Sequence, residues 1–292
     1  MRILIFGGDG MLGHRLLRYF SMRHETCVTL HRDLAFYAQF GLFDRRNAFD
    51  RTDVRDSTRV AAVLADFRPE AVINAAGIVK QRPEGLDPGI SNEVNAAFPH
   101  LLAQRCRAEG ALMVQLGTDC VFSGEKGNYA ESDTPDPVDL YGQTKLKGEV
   151  DAPAVITLRT SMIGLELVRK TGLIEWFLAQ EGETIKGYRR AVFSGFSTME
   201  LARLIERLVN RQAAIHGIYH ASSAPISKFD LLSSLNRRMG LSVNIVPDDS
   251  VKCDRSLDST RLRRAIDYSP PSWDLMLDEL AVEIRESRIA RH

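Results

Sequence analysis

Short apolar runs and amphipathic stretches alternate along the first half of the chain. Arg2–Phe6, Thr26–His31, Ala71–Asn74, Ala111–Leu116 and Ala154–Leu158 are mostly near-continuous in Ala, Val, Ile and Leu. A strand with one wet face alternates apolar and polar residues, so continuous runs predict strands covered on both faces, as in a parallel sheet. Between them, apolar residues recur at helical spacing: Met11, Leu12, Leu16, Leu17 and Phe20, then Val60, Val63, Leu64 and Phe67. Val94, Ala97, Phe98, Leu101 and Leu102 form a third stripe, in which Pro99 marks either a kink or the true helix start. Repeated strand–helix units predict right-handed crossovers and a doubly wound α/β sheet.

After about residue 160 the rhythm loosens. Ser197-x-x-Glu200 reads as a capping box for a helix carrying Leu201, Leu204, Ile205, Leu208 and Val209. Ser227-x-x-Asp230 starts another, ended by Gly240, and a last helix begins near Ser272-Trp273 with Leu275, Met276 and Leu280 on its stripe. This change predicts a smaller C-terminal lobe. The expected division is a first domain over 1–160, completed by about 191–221, and a second lobe from 161–190 and 222–292.

The length, 292 residues, suits one large domain or two modest ones. Lys plus Arg and Asp plus Glu number 38 each, which argues against a broad nucleic-acid or acidic-membrane surface. Cys27, Cys106, Cys120 and Cys253 form no CxxC pair and no zinc spacing with His, and the seven histidines make no HExxH, so no metal is expected. So few cysteines, a start without the apolar length of a signal peptide and no run long enough to span a bilayer lead to the expectation of a cytoplasmic protein away from membranes.

Gly7-Gly8-Asp9-Gly10-Met11-Leu12-Gly13 follows the first strand and opens the first helix. A dinucleotide diphosphate needs bare backbone nearby and N–H groups aimed at it from a helix start. Gly7 would make the turn, Gly10 would allow close approach, and Gly13 would let the helix pack on the sheet. The bland alternative is a tight strand–helix turn. The second strand ends at His31-Arg32-Asp33; an acidic residue there holds the ribose of NAD, whereas an arginine suits the 2′-phosphate of NADP. Arg32 sits nearer the expected position, which favours NADP(H) and leaves NAD(H) as the alternative. Asp53-Val54, placed at the close of the third strand, would lie over the adenine, or Asp53 would cap or turn into the next helix.

Tyr141 and Lys145 are four residues apart, hence on one face of a helix. An ammonium beside a phenol favours the phenolate and lowers the pKa of about 10, fitting the tyrosine for proton transfer to a carbonyl oxygen. Thr118 follows a buried-looking strand at the edge where open α/β sheets bind ligands. Asn74-Ala75-Ala76-Gly77 ends the preceding strand and would pass under the cofactor.

With these pieces, the chain resembles the extended short-chain dehydrogenase/reductases, specifically the dTDP-4-dehydrorhamnose reductase family of sugar-nucleotide reductases. The resemblance is carried by Gly7 to Gly13, Asn74–Gly77, Thr118-Asp119 with Val121-Phe122 and Gly124, Tyr141 with Lys145, Leu158-Arg159-Thr160, and Arg255-Ser256-Leu257-Asp258. It implies a Rossmann domain, a smaller C-terminal α/β substrate lobe, and Thr118, Tyr141 and Lys145 as the catalytic trio. The implied cofactor residues are Gly7, Asp9, Gly10, Met11, Leu12, Gly13, Arg32, Asp53, Val54, Ala75, Ala76, Gly77, Tyr141 and Lys145. The implied substrate is a nucleotide-linked 4-keto-6-deoxyhexose in deoxysugar or polysaccharide biosynthesis, and a homodimer is the assembly considered.

Cys120 stands where that family usually has an aromatic residue, and the segment after Gly77 also differs, so reaction type carries over but not the particular sugar. On the substrate side the expected residues are Lys80, Gln81, Thr118, Asp119, Cys120 and Arg255, the arginine for phosphate. Trp176 is expected as a buried anchor rather than a base-stacking ring, and Arg159 as a structural ion-pair partner. The basic loop Gly187-Tyr188-Arg189-Arg190 is either a phosphate contact or a solvated turn. Competing readings are an epimerase that retains NAD and a non-catalytic cofactor-binding regulatory subunit. A 4,6-dehydratase is disfavoured because Asp119-Cys120 replaces the expected Asp-Glu pair.

Overall fold

A computed structural model describes residues 1–80, 83–210 and 215–289. The apolar runs become strands β1 (Arg2–Phe6), β2 (Glu25–Thr29), β3 (Ala48–Phe49), β4 (Ala71–Asn74), β5 (Leu112–Leu116) and β6 (Val155–Arg159), joined by β7 (Gly217–His220). They form one seven-stranded sheet in the order β7-β6-β5-β4-β1-β2-β3, with every pairing parallel. The chain runs outward from β1 through β2 to β3, then returns to β4 and proceeds the other way. That reversal opens a crevice between the loops leaving β1 and β4. Register levels the strand ends, with Phe6 beside Asn74 and Asn74 beside Gln115.

Both faces are covered, as the continuous runs predict. Ile3 and Ile5 join one core with Leu16, Leu17 and Phe20 of the helix Gly13–Phe20 and Leu201, Leu204, Ile205 and Leu208 of the helix Thr198–Asn210. Leu4 and Phe6 face the opposite core, with Val60, Val63 and Leu64 of the helix Ser57–Phe67 and Leu102 and Cys106 of the helix Phe98–Glu109. The expected capping hydrogen bonds form: Ser197 Oγ accepts from Glu200 N at 3.2 Å, and Ser227 Oγ from Asp230 N at 3.0 Å. Gly240 ends the second helix in the left-handed region.

A second core brings Ile163, Ile174, Phe177, Ile185 and Phe193 together with Leu231, Leu235, Leu277, Leu280 and Ile284. Leu262, Ile266 and Met276 instead return to the first core, so the C-terminal stretch touches both. Among the described residues no helix is long and apolar enough to cross a membrane.

Four local expectations need correction. Asp53-Val54 does not close the third strand, which is only Ala48–Phe49; two residues are too few to show a period. Ala97 is exposed and Leu101 only half-buried, because Glu93–Ala97 is a wide π-turn. That turn resets the stripe to Val94 and Asn95, Phe98 and Pro99, Leu102 and Ala103. Pro99 sits in the first turn of the helix that follows, where its missing N–H costs no hydrogen bond. Leu275 and Trp176 are 50% and 41% exposed, so neither is the core residue expected.

Candidate active site

The crevice beside β1 is a cleft of about 740 Å³. Gly7, Asp9, Gly10, Arg32, Asp53, Val54, Ala75, Ala76 and Gly77 line it. Gly7 has φ +86°, and a Cβ there would stand 2.9 Å from the Ala76 backbone; one at Gly13 would collide with the Gly7 carbonyl oxygen. This turn therefore tolerates no side chain at either position, which leaves bare backbone facing the cleft. Met11, Leu12 and Gly13 are not on the lining; Leu12 turns its side chain into the first core.

Arg32 is exposed and stacks its guanidinium over Phe36 at 4.4 Å. Asp33 is engaged elsewhere: it caps the helix Leu34–Tyr37 by accepting from Phe36 N at 3.0 Å, and it pairs with Arg51 at 3.3 Å. Asp53 is bound at 2.6 Å by Arg55, whose guanidinium holds the carboxyl below the usual range. This end of the cleft thus presents His31, Arg32 and Arg55 with a neutralised Asp53.

Tyr141 and Lys145 lie one turn apart on the helix Leu140–Lys147, capped by Asp139, which accepts from Gly142 N at 2.8 Å. A Cβ at Gly142 would collide with the Cys120 carbonyl, so this helix abuts the turn that leaves β5. Thr118 opens that turn, accepting from Cys120 N at 3.1 Å, and its hydroxyl lies near the Tyr141 phenol. Lys145 is 6% exposed and donates to the Leu116 carbonyl at 2.5 Å. Burial lowers its pKa to about 8, opposed by Glu149. Burial, then the Cys120 thiol, pushes Tyr141 above its ordinary value, against the Thr118 hydroxyl. The expected lowering of the phenol by an adjacent ammonium is therefore not the balance present here: desolvation outweighs the favourable contacts.

Arg255 reaches over the same turn, donating to the Phe122 carbonyl at 2.8 Å and approaching Cys120 Sγ at 3.6 Å. It opposes the burial that raises Asp119. Burial and Asp119 raise the Cys120 thiol to about 12, which suits an uncharged packing group rather than a nucleophile. Lys80 bonds Asp139 at 3.3 Å, at the start of the Tyr141 helix. Lys80, Asp119, Cys120, Arg255, Thr118, Tyr141 and Lys145 therefore cluster where the turn after β5 meets the helix Leu140–Lys147. Gln81 lies outside the described residues. Arg189 of the basic loop bonds Asp249 at 2.9 Å.

Arg159 pairs with Glu149 at 2.6 and 2.8 Å in a buried fork, as expected of a structural partner. Sequence reasoning missed Asn95. Its amide accepts from Ile78 N at 2.9 Å, donates to Ile78 O at 2.9 Å and reaches Thr144 Oγ1 at 3.2 Å. It ties the cleft wall after β4 to the Tyr141 helix. The signal was present as a polar residue within a buried stripe, but the π-turn hid its phase. Among the described residues no group of three or more His, Cys, Asp or Glu could hold a metal ion.

The model of the RmlD substrate binding domain matches residues 1–285. Methionine adenosyltransferase 2 subunit beta of Bos taurus is 30% identical over 150 residues, 51% of this chain. That match covers 41% of the relative, so the chain spans less than half of its length. A probable dTDP-4,6-dihydroxy-2-methyloxan-3-one 4-ketoreductase of Streptomyces antibioticus is 31% identical over 242 residues, 77% of this chain and 72% of its own. The solved dTDP-4-dehydrorhamnose reductase of Bacillus anthracis, in complex with NADP, superposes with a TM-score of 0.79 at 20% identity, covering 97% of this chain and 99% of its own.

Proposed function

The chain belongs to the RmlD substrate binding domain family of extended short-chain dehydrogenase/reductases, and from that premise we propose that it reduces the ketone of a nucleotide-linked 4-keto-6-deoxyhexose with NADPH. The observation that carries this reading is the helix of Tyr141 and Lys145 packed against the turn that Thr118 opens, which brings the three side chains to one site. A bound nicotinamide dinucleotide would supply the hydride, and the glycine turn fits it because no side chain occupies Gly7, Gly10 or Gly13. Thr118 orients the substrate carbonyl by hydrogen bonding its oxygen. Tyr141 delivers the proton to that oxygen, and its raised pKa keeps it protonated until negative charge develops there. Lys145 would stabilise the phenolate left behind and is the residue that would hold the nicotinamide ribose of a bound dinucleotide. Arg255 and Lys80 would be the cations that meet the nucleotide's phosphates.

Arg32, free of Asp33, supports NADP(H) over NAD(H). The test is NADPH and NADH absorbance with a panel of dTDP-, UDP-, GDP- and CDP-linked 4-keto-6-deoxysugars. Substrate-dependent NADPH oxidation is expected. In Tyr141→Phe it should fall by roughly 10²- to 10⁴-fold with cofactor binding kept, the usual scale for a lost proton donor. Undiminished turnover in that variant would remove the phenol from its role.

Similarity to the methionine adenosyltransferase subunit favours one second reading, a cofactor-binding regulatory subunit. Tight dinucleotide binding with no oxidation across the panel would select it, or an epimerase if NAD stayed bound through purification.

A further inference from the structure

Asp9 is an unusual neighbour for a diphosphate. It stands in the glycine turn, on the cleft lining, where backbone N–H groups would meet an anion. A carboxylate there repels the diphosphate unless a cation stands beside it. Tyr37, which donates to Asp9 Oδ2 at 3.1 Å, supplies no charge. Arg169 supplies it from across the cleft, with a guanidinium nitrogen 3.6 Å from Asp9 Oδ2. That separation is too long for a hydrogen bond, so the fork of donors remains available. The side chain is 31% exposed and lines the cleft together with Val168 and Thr171.

The segment that carries Arg169 comes from the second core, between Leu165 and the helix Leu173–Leu178. It is built rather than loose. The Glu166 carboxylate accepts from Gly172 N at 2.7 Å and from Thr171 N. Lys170 takes a left-handed φ of +57°, and its ammonium lies 3.7 Å from Glu175. Met11 of the glycine turn packs so closely on Gly172 that a Cβ there would stand 2.8 Å from its terminal methyl.

We propose that Arg169 binds the diphosphate bridge of the nicotinamide dinucleotide from the wall opposite the glycine turn, with Asp9 as its positioning residue. This rests on the dinucleotide reading above. Arginine matches phosphate through paired donors, so the guanidinium would sit between the Asp9 carboxylate and the diphosphate, neutralising both. Cofactor binding would thereby couple the first helix to the segment from the second core.

The test is fluorescence titration of NADPH and NADH into the parent, Arg169→Ala, Arg169→Lys and the double variant Asp9→Asn/Arg169→Ala. Arg169→Ala should weaken binding roughly 10- to 100-fold, the scale of a lost charge-assisted contact, and Arg169→Lys should lose less. Adding Asp9→Asn to Arg169→Ala should recover part of the loss, because an uncompensated negative charge leaves the diphosphate site. Parent-like affinity in Arg169→Ala, or a loss that Asp9→Asn does not relieve, overturns the proposal. A parent that binds neither dinucleotide overturns the cofactor reading itself.

Discussion

Replacing Lys145 by Met should make the protein more stable while disabling it. The ammonium is almost wholly buried, and its one bond goes to the Leu116 carbonyl. That carbonyl also accepts from Gln115 Nε2 at 3.1 Å, so the variant leaves it satisfied. Burial lowers Lys145 from 10.5 to about 8. Each pKa unit corresponds to about 1.4 kcal/mol, so the charged form carries a penalty on the order of 3 kcal/mol in the folded state. Below pH 8 the lysine is protonated both folded and unfolded, and the penalty is present in full. Between pH 8 and 10.5 the folded state sheds the proton that the unfolded state keeps. The unfolded state then binds more protons, and parent stability rises with pH relative to the variant. Urea unfolding of both proteins should find Lys145→Met more stable at pH 7 by about 1–3 kcal/mol, once the lost hydrogen bond is allowed for. By pH 9.5 the advantage should shrink by about 2 kcal/mol. The parent's turnover should fall over the same range as Lys145 loses its charge. Stability–pH curves that stay parallel, or a variant markedly less stable at pH 7, would refute the claim that the site carries a buried ammonium at a cost.

Asn95→Ala strips partners from the buried N–H and C=O of Ile78 and should cost about 2–4 kcal/mol in urea; a loss under about 1 kcal/mol would remove Asn95 from the tie between cleft wall and helix. Gly13→Ala forces a Cβ into the Gly7 carbonyl and should weaken dinucleotide binding more than roughly tenfold while costing about 1–3 kcal/mol of stability; unchanged binding would mean that the turn does not shape the site. Arg32→Glu should weaken NADPH by roughly tenfold or more in a titration and leave NADH nearly unchanged, whereas equal effects on both would dismiss Arg32 as the 2′-phosphate contact.

The parts of the fold that a local pattern determines were legible. Arg2–Phe6 and Ala71–Asn74 lie within the sheet at their expected bounds, because a strand buried on both faces must be apolar throughout. The glycine turn was legible because backbone close approach excludes every other residue. What stayed hidden depends on chain brought from afar. A two-residue third strand carries no period, so Asp53-Val54 was set too close to it. Asn95 was passed over because a π-turn shifts the helical phase at that point. Arg169 lies in a stretch without periodicity, and packing of its neighbours on both cores brings it to Asp9. The direction of the Tyr141 shift was missed because spacing reveals the neighbour and not the burial.

That burial bears on the choice between an enzyme and a binding subunit. The site around Tyr141 holds a Lys145 ammonium bonded to a neutral carbonyl, a buried Asp119 and a phenol pushed away from ionisation. Each is costly to hold in the folded state. A protein that only bound the dinucleotide would need the glycine turn, the cleft wall and a cation at the ribose, but neither a buried Asp119 nor a phenol pushed away from ionisation. Removing the phenol hydroxyl, as Tyr141→Phe does, would then be neutral for function. Titratable groups kept in a dry site against their own solvation are the usual mark of proton transfer. This is why the reductase reading is preferred to the regulatory one. A Tyr141→Phe variant that bound the dinucleotide and kept the protein's full biological role would reverse that preference.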